Sequence, residues 1–272
     1  MGYKTLKEPS SFLLAELNNQ DKQFFTLPEA TELLSGSNPV AVRKLLSQMV
    51  ERGLLMRIKD GLYHIIPYDK DPQTYQPDWH ITATHLVNSD YYIGYYSALS
   101  IHSLITQPAF KEQVVVNKIH QKQSIFVKNT EYQIIFHNKA HFFGAKNTWI
   151  DNYTKVQCSD LEKTFIDCLF MPQYAGGITE ITKAIHKARE KTDYEKLLRY
   201  CRQFKSQAVI KRLGFLLELL EIKTPFIEKL ISGLSGSYIL LDPSLPKEGR
   251  MFSRWKIRQN IDTETLKSAL SY

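Results

Sequence analysis

Arg43, Lys44, Ser47 and Gln48 recur at helical spacing in a stretch bounded by Asn38-Pro39 and Gly53. Their chemistry is that of base-edge recognition. Arginine and lysine reach guanine O6 and N7, glutamine pairs with adenine, serine serves either base, and a small neighbour such as Ala41 lets a helix come close to them. Ser37 and Asn38 sit at the N-terminal end of the stretch, where free amides and the positive end of the helix dipole favour phosphate. Arg57 and Lys59 precede an Asp60-Gly61 turn, placed for a neighbouring backbone or minor groove. The candidate DNA-binding set is therefore Ser37, Asn38, Ala41, Arg43, Lys44, Ser47, Gln48, Arg57 and Lys59. The competing readings of this face are a solvated surface and a protein-binding module.

The elements that must position these residues follow from helix punctuation. Ser10 or Ser11 is expected to cap a helix through about Asn18, with Phe12, Leu13, Leu14 and Leu17 as its apolar stripe. Thr26-Leu27-Pro28-Glu29 reads as a capping box with a first-turn proline, opening a helix that ends by Leu34 at Ser35-Gly36-Ser37. Asn38-Pro39 opens a third helix whose apolar set, Val42, Leu45, Leu46 and Met49, faces the first two, with Gly53 as its stop. Two short strands over 54–59 and 62–66 flank the Asp60-Gly61 turn. Helix, helix, helix, hairpin is the winged helix order. The expected organisation is α+β: a winged helix-turn-helix over 1–66, a proline-rich linker over 67–78, and a larger mixed α+β domain over 79–272. In that domain a helix is expected near 97–104, strands over 113–116, 124–127 and 132–136, helices over 179–190, 193–204 and 207–220, and strands over 238–241 and 255–257.

Composition bounds the function. With 43% apolar residues over 272 positions the chain can bury a sizeable core, and its formal charge of +7 favours a polyanionic partner. The segment up to 66 is nearly charge-balanced, so the excess lies beyond it. Lys183, Lys187, Arg199, Arg202, Lys211 and Arg212 are expected to form a basic surface that holds flanking DNA or an RNA; the bland reading is a solvated lysine face. No apolar run approaches the ~18 residues a membrane span needs. The first residues have no apolar core segment or small-residue cleavage site, which makes the cytoplasm the expected location. Cys158, Cys168 and Cys201 are widely spaced and read as buried thiols, not as a disulfide framework or zinc site.

Signals for catalysis are poor. There is no P-loop, no GxGxxG and no recognised nucleophile setting, so no catalytic residue, cofactor or metal is expected and the chain reads as a non-enzyme. His137 and His141 have the spacing of helical metal ligands but lie in a non-helical pattern with no third ligand. Asp160 suits a helix cap better than an acid–base role, and Gly176-Gly177 suits a helix connection better than an anion cradle.

Several blocks together resemble the AbiEi-type antitoxins of bacterial abortive-infection, type IV toxin–antitoxin systems. They are Val42-Arg43-Lys44-Leu45 through Gly53-Leu54 and Gly61-Leu62-Tyr63, then Tyr95-Tyr96-Ser97-Ala98-Leu99. Leu161-Glu162-Lys163-Thr164-Phe165-Ile166-Asp167 leads on to Pro172-Gln173-Tyr174-Ala175-Gly176-Gly177. Lys211-Arg212-Leu213-Gly214-Phe215-Leu216-Leu217-Glu218 and Arg254-Trp255-Lys256-Ile257 complete the series. The resemblance implies a winged helix that binds inverted repeats in its own promoter as two copies. It also implies a second domain that neutralises a nucleotidyltransferase-like toxin encoded in the same operon. By the same resemblance Arg43, Lys44, Ser47 and Gln48 match the recognition helix, Arg57 and Lys59 the wing, and Lys211 and Arg212 a basic position of the antitoxin domain. A stand-alone regulator without a toxin, and a nucleic-acid-acting enzyme fused to a winged helix, are the alternative readings.

Overall fold

The structure, a computed structural model, describes residues 8–105, 107–268 and 270. Residues 1–7, on which part of the location argument rests, lie outside the described set. The chain divides into two units: residues up to Leu86 with Phe126–Asn129, and the remainder.

In the first unit the order is α1 (Glu8–Asn19), β1 (Phe24–Thr26), α2 (Leu27–Leu33), α3 (Pro39–Glu51), β2 (Leu55–Lys59), β3 (Leu62–Ile65) and α4 (Trp79–Leu86). This is a winged helix-turn-helix. The expected α1 cap is displaced: Ser10 and Ser11 lie within a helix that already includes Glu8, and Ser10 is buried. At α2 the capping box forms as expected, with Thr26 N donating to Glu29 Oε2 at 2.7 Å and Glu29 N to Thr26 Oγ1 at 3.4 Å. Asn38 Oδ1 accepts from Val40 N at 2.9 Å to cap α3, Pro39 fills the first turn, and Gly53 leaves the helix at φ 67°. Val42, Leu46 and Met49 are buried against Leu13, Leu17, Phe25, Ala30, Leu34 and Tyr63. β1, a strand not expected from the sequence, pairs antiparallel with β3 to make the sheet order β1-β3-β2.

The boundary falls later than expected. Residues 67–78 lie within the first unit and pack onto it. Tyr75 Oη lies 2.9 Å from His64 Nε2 with the two rings stacked, and the bare Cα of Gly53 accommodates Pro72, whose Cγ would sit 2.4 Å from an added Cβ. Proline-rich composition here marks an ordered strap, because its rigid residues lose little entropy on docking.

The second unit contains a six-stranded sheet of order β6-β7-β5-β4-β9-β8. Its strands are β4 (Tyr91–Ile93), β5 (Lys111–Val116), β6 (Ser124–Val127), β7 (Thr130–Phe136), β8 (Ala145–Trp149) and β9 (Lys155–Ser159), with α5 (Tyr95–Ile101) after β4. Then follow α6 (Leu161–Phe170), α7 (Gly177–Ala188), α8 (Tyr194–Phe204), α9 (Gln207–Leu219) and α10 (Ile227–Ile231). A small sheet of β10 (Ile239–Leu240), β11 (Arg250–Phe252) and β12 (Ile257–Gln259) precedes α11 (Thr263–Ser268). The amphipathic α7, α8 and α9 bury Ile181, Ile185, Leu197, Phe204, Leu213 and Leu216 in one core with α6. No helix among the described residues is long and apolar enough to cross a membrane.

α9 also explains a pairing between distant blocks. Trp255 is fully buried, donates from Nε1 to Glu218 Oε2 at 2.6 Å, and lies so close over Gly214 that an added Cβ would meet its ring at 2.1 Å. Glycine-to-alanine in a helix interior ordinarily stabilises by about 1 kcal/mol. Here the sign is reversed: Gly214→Ala is expected to destabilise by about 1–3 kcal/mol through overpacking. Urea unfolding checks it, and an unchanged or raised midpoint would contradict the stacking.

Beneath α6 lies a buried polar network. Tyr95 Oη donates to His137 Nε2 (2.7 Å), so His137 carries its proton on Nδ1 and donates to Tyr92 Oη (3.1 Å), which donates in turn to Asp167 Oδ2 (3.0 Å). Lys163 Nζ donates to Tyr92 Oη (2.9 Å) and to Asp167 Oδ1, and both members of that pair are wholly buried. Burial pushes the Lys163 ammonium down and the Asp167 carboxyl up, each towards its neutral form, and their contact opposes both shifts. Tyr95 holds a left-handed φ of 52°, which a bulky residue adopts only when its surroundings fix it.

Candidate nucleic-acid interface

The outward face of α3 carries Ser37, Asn38, Val40, Ala41, Arg43, Lys44, Ser47 and Gln48, while Val42, Leu46 and Met49 bury the other side. Every residue of this face is exposed to solvent, and Leu45 at its edge is half-buried. The cap consumes the Asn38 carboxamide oxygen and leaves its NH₂ for a phosphate. Arg43 and Lys44 form no ion pair among the described residues. Their charges are thus available to an incoming anion without breaking an existing interaction.

The wing departs from expectation. Arg57 is exposed but paired with Asp60 of the turn. An exposed pair of this kind is worth about 0–1 kcal/mol, so Arg57 can exchange Asp60 for a phosphate at little cost. Lys59 is half-buried and already engaged: its Nζ donates to Leu86 O at 2.8 Å, and burial pushes its ammonium down. The cause is local, since the β2–β3 ladder slips between Arg57 and Lys59, and such a bulge re-aims the side chain beyond it.

The expected basic surface of the second unit does not form as a whole. Lys187, Arg199 and Arg202 lie at the surface. Lys183 is half-buried and paired with Glu180 Oε1 at 2.7 Å. Lys211 and Arg212 are buried and belong to no surface. Lys211 Nζ donates to Ser235 Oγ at 2.9 Å and Ser237 O at 2.6 Å, tethering the loop before β10. Arg212 donates to Leu169 O at 2.6 Å and Leu241 O at 3.0 Å, so its charge meets the carbonyl-rich C-terminal end of α6, and burial pushes its guanidinium down to about 10.

Other candidate chemistries resolve into structure. His141 stacks on Phe204 at 3.8 Å and bonds to its carbonyl, while His137 sits in the tyrosine network. Among the described residues no group of three or more His, Cys, Asp or Glu is placed to hold a metal ion. Asp160 caps α6, accepting from Lys163 N at 2.9 Å. At Gly176-Gly177 the anion is the protein's own: Asp242 Oδ2 accepts from Ile178 N at 2.9 Å at the start of α7. The three cysteines are free and buried, and burial pushes the Cys201 thiol up to about 12.

No protein-family model matches the chain, and no curated protein matches it. Among solved structures it is similar to the crystal structure of the RV2827C protein from Mycobacterium tuberculosis, with a TM-score of 0.73 at 11% identity over 98% of this chain and 96% of that one. At that identity the likeness speaks for the fold alone.

Proposed function

We propose that the chain is a DNA-binding transcriptional repressor of its own operon and the antitoxin to a nucleotidyltransferase-like toxin encoded there. The observation that carries the first half is the outward face of α3: a capped N-terminus followed by Ala41, Arg43, Lys44, Ser47 and Gln48, with both cations unpaired among the described residues. That is the side-chain set that reads major-groove edges. Two copies on inverted repeats supply the two half-sites. The antitoxin half is supported by the ordered blocks resembling AbiEi-type antitoxins.

Arg43→Ala with Lys44→Ala is expected to weaken operator binding by about 1–3 kcal/mol for each base that is no longer read, measured by gel shift on the chain's own promoter. Unchanged affinity would remove α3 as the reading element. For the antitoxin half, co-expression with the neighbouring nucleotidyltransferase is expected to rescue growth. Failure to rescue would leave a stand-alone regulator.

A further inference from the structure

Val40 is 70% exposed in the first turn of α3, and it is not among the apolar residues that pack on the first unit's core. Neither folding nor helix propensity accounts for it: a β-branched residue is a mediocre helix former, and an exposed one buries nothing. Its location is informative. Counting along the helix, Arg43, Lys44 and Ser47 stand three, four and seven residues on, so Val40 shares their face, and the exposed Ala41 adjoins it. The Asn38 cap holds the Val40 amide at 2.9 Å, which pins the backbone. A β-branched side chain has one dominant rotamer in a helix, so its methyl groups are held still.

A rigid apolar spot beside two free cations suits one feature of the major groove. Of the groups displayed there, only the pyrimidine 5-methyl is apolar, and guanine edges beside it take the cations. Resting on the DNA-reading proposal for α3, we infer that Val40 reads a pyrimidine 5-methyl group in each operator half-site, supplied by thymine or by 5-methylcytosine.

The probe is a duplex selected by the full-length chain from a randomised double-stranded library. Thymine→uracil at one position per half-site, which removes only the methyl, is expected to weaken binding roughly fourfold per half-site, the loss for one buried methyl. Cytosine at that position is expected to bind weakly and 5-methylcytosine to restore affinity; if 5-methylcytosine does not restore it, the source is thymine alone. Val40→Ala, a surface change that leaves the thermal midpoint unmoved, is expected to lose the same factor on thymine duplex and to become indifferent to uracil. Wild-type indifference to uracil at every position overturns the inference, as does discrimination that persists in Val40→Ala, while Arg43→Ala with Lys44→Ala still reports on the DNA reading itself. If no duplex is enriched, that reading falls and takes this one with it.

Discussion

Asp167→Ala is expected to destabilise the second unit by about 3–5 kcal/mol, because it strands the Lys163 ammonium in a wholly buried site. The loss spreads further than one ion pair, since Tyr92 also donates to Asp167 and passes the chain of hydrogen bonds on to His137 and Tyr95. Lys163 lies 5.1–5.2 Å from the ring centres of Tyr92, Phe143 and Phe204, which offer partial compensation but no counter-charge. Replacing both members, Lys163→Met with Asp167→Leu, is expected to recover most of the stability, since an apolar pair carries no desolvation cost. Urea denaturation of the single and double variants separates the two contributions. A single variant within about 1 kcal/mol of the wild type would mean that Lys163 finds water or another partner.

Acid is expected to weaken both units before the carboxylates titrate. Burial pushes His64 of the first unit down to about 4 and His137 of the second down to about 3, the latter helped by the Lys163 charge. Both folded values lie below the unfolded one, so the unfolded chain binds more protons and stability falls as pH drops from about 6.5 towards those values. Between about pH 6.5 and pH 5 each imidazole is expected to cost about 2 kcal/mol. Burial shifts His85, His102 and His141 in the same direction. Hydrogen exchange read unit by unit at pH 7 and pH 5 checks this. His64→Gln is expected to flatten the pH dependence of the first unit and leave that of the second; equal slopes in wild type and variant would contradict it.

The parts of this fold that the sequence discloses are those set by neighbours in the chain. Thr26 with Glu29, Asn38 with Pro39, Gly53, and Asp60-Gly61 each act within a few residues, and each makes the cap or turn its residue types dictate. What stays hidden in the sequence depends on distant partners. The three residues of β1 show no alternation and become a strand only because Phe24 meets His64. β8 is a polar edge strand with little burial to mark it. Lys211, Arg212 and Lys59 look like surface cations until the carbonyls of Ser237, Leu169 and Leu86 are brought to them. In the candidate interface, helix periodicity is enough to place Arg43, Lys44, Ser47 and Gln48 outward, whereas Val40 stands out only through its exposure in the fold.

The stacking of Trp255 on Gly214 sets an order of events during synthesis. The core residues of the winged helix lie between Leu13 and Ile65, so that unit holds what it needs for its core soon after those residues leave the ribosome. The second unit cannot close until Trp255 and Ile257 arrive to fill its core. At roughly 5–20 residues per second, the intervening stretch of roughly 190 residues takes on the order of ten to forty seconds. Through that interval a nascent chain carries a winged helix with a complete core ahead of a second unit that is still open. Any premature stop before Trp255 yields the winged helix without a closed second unit.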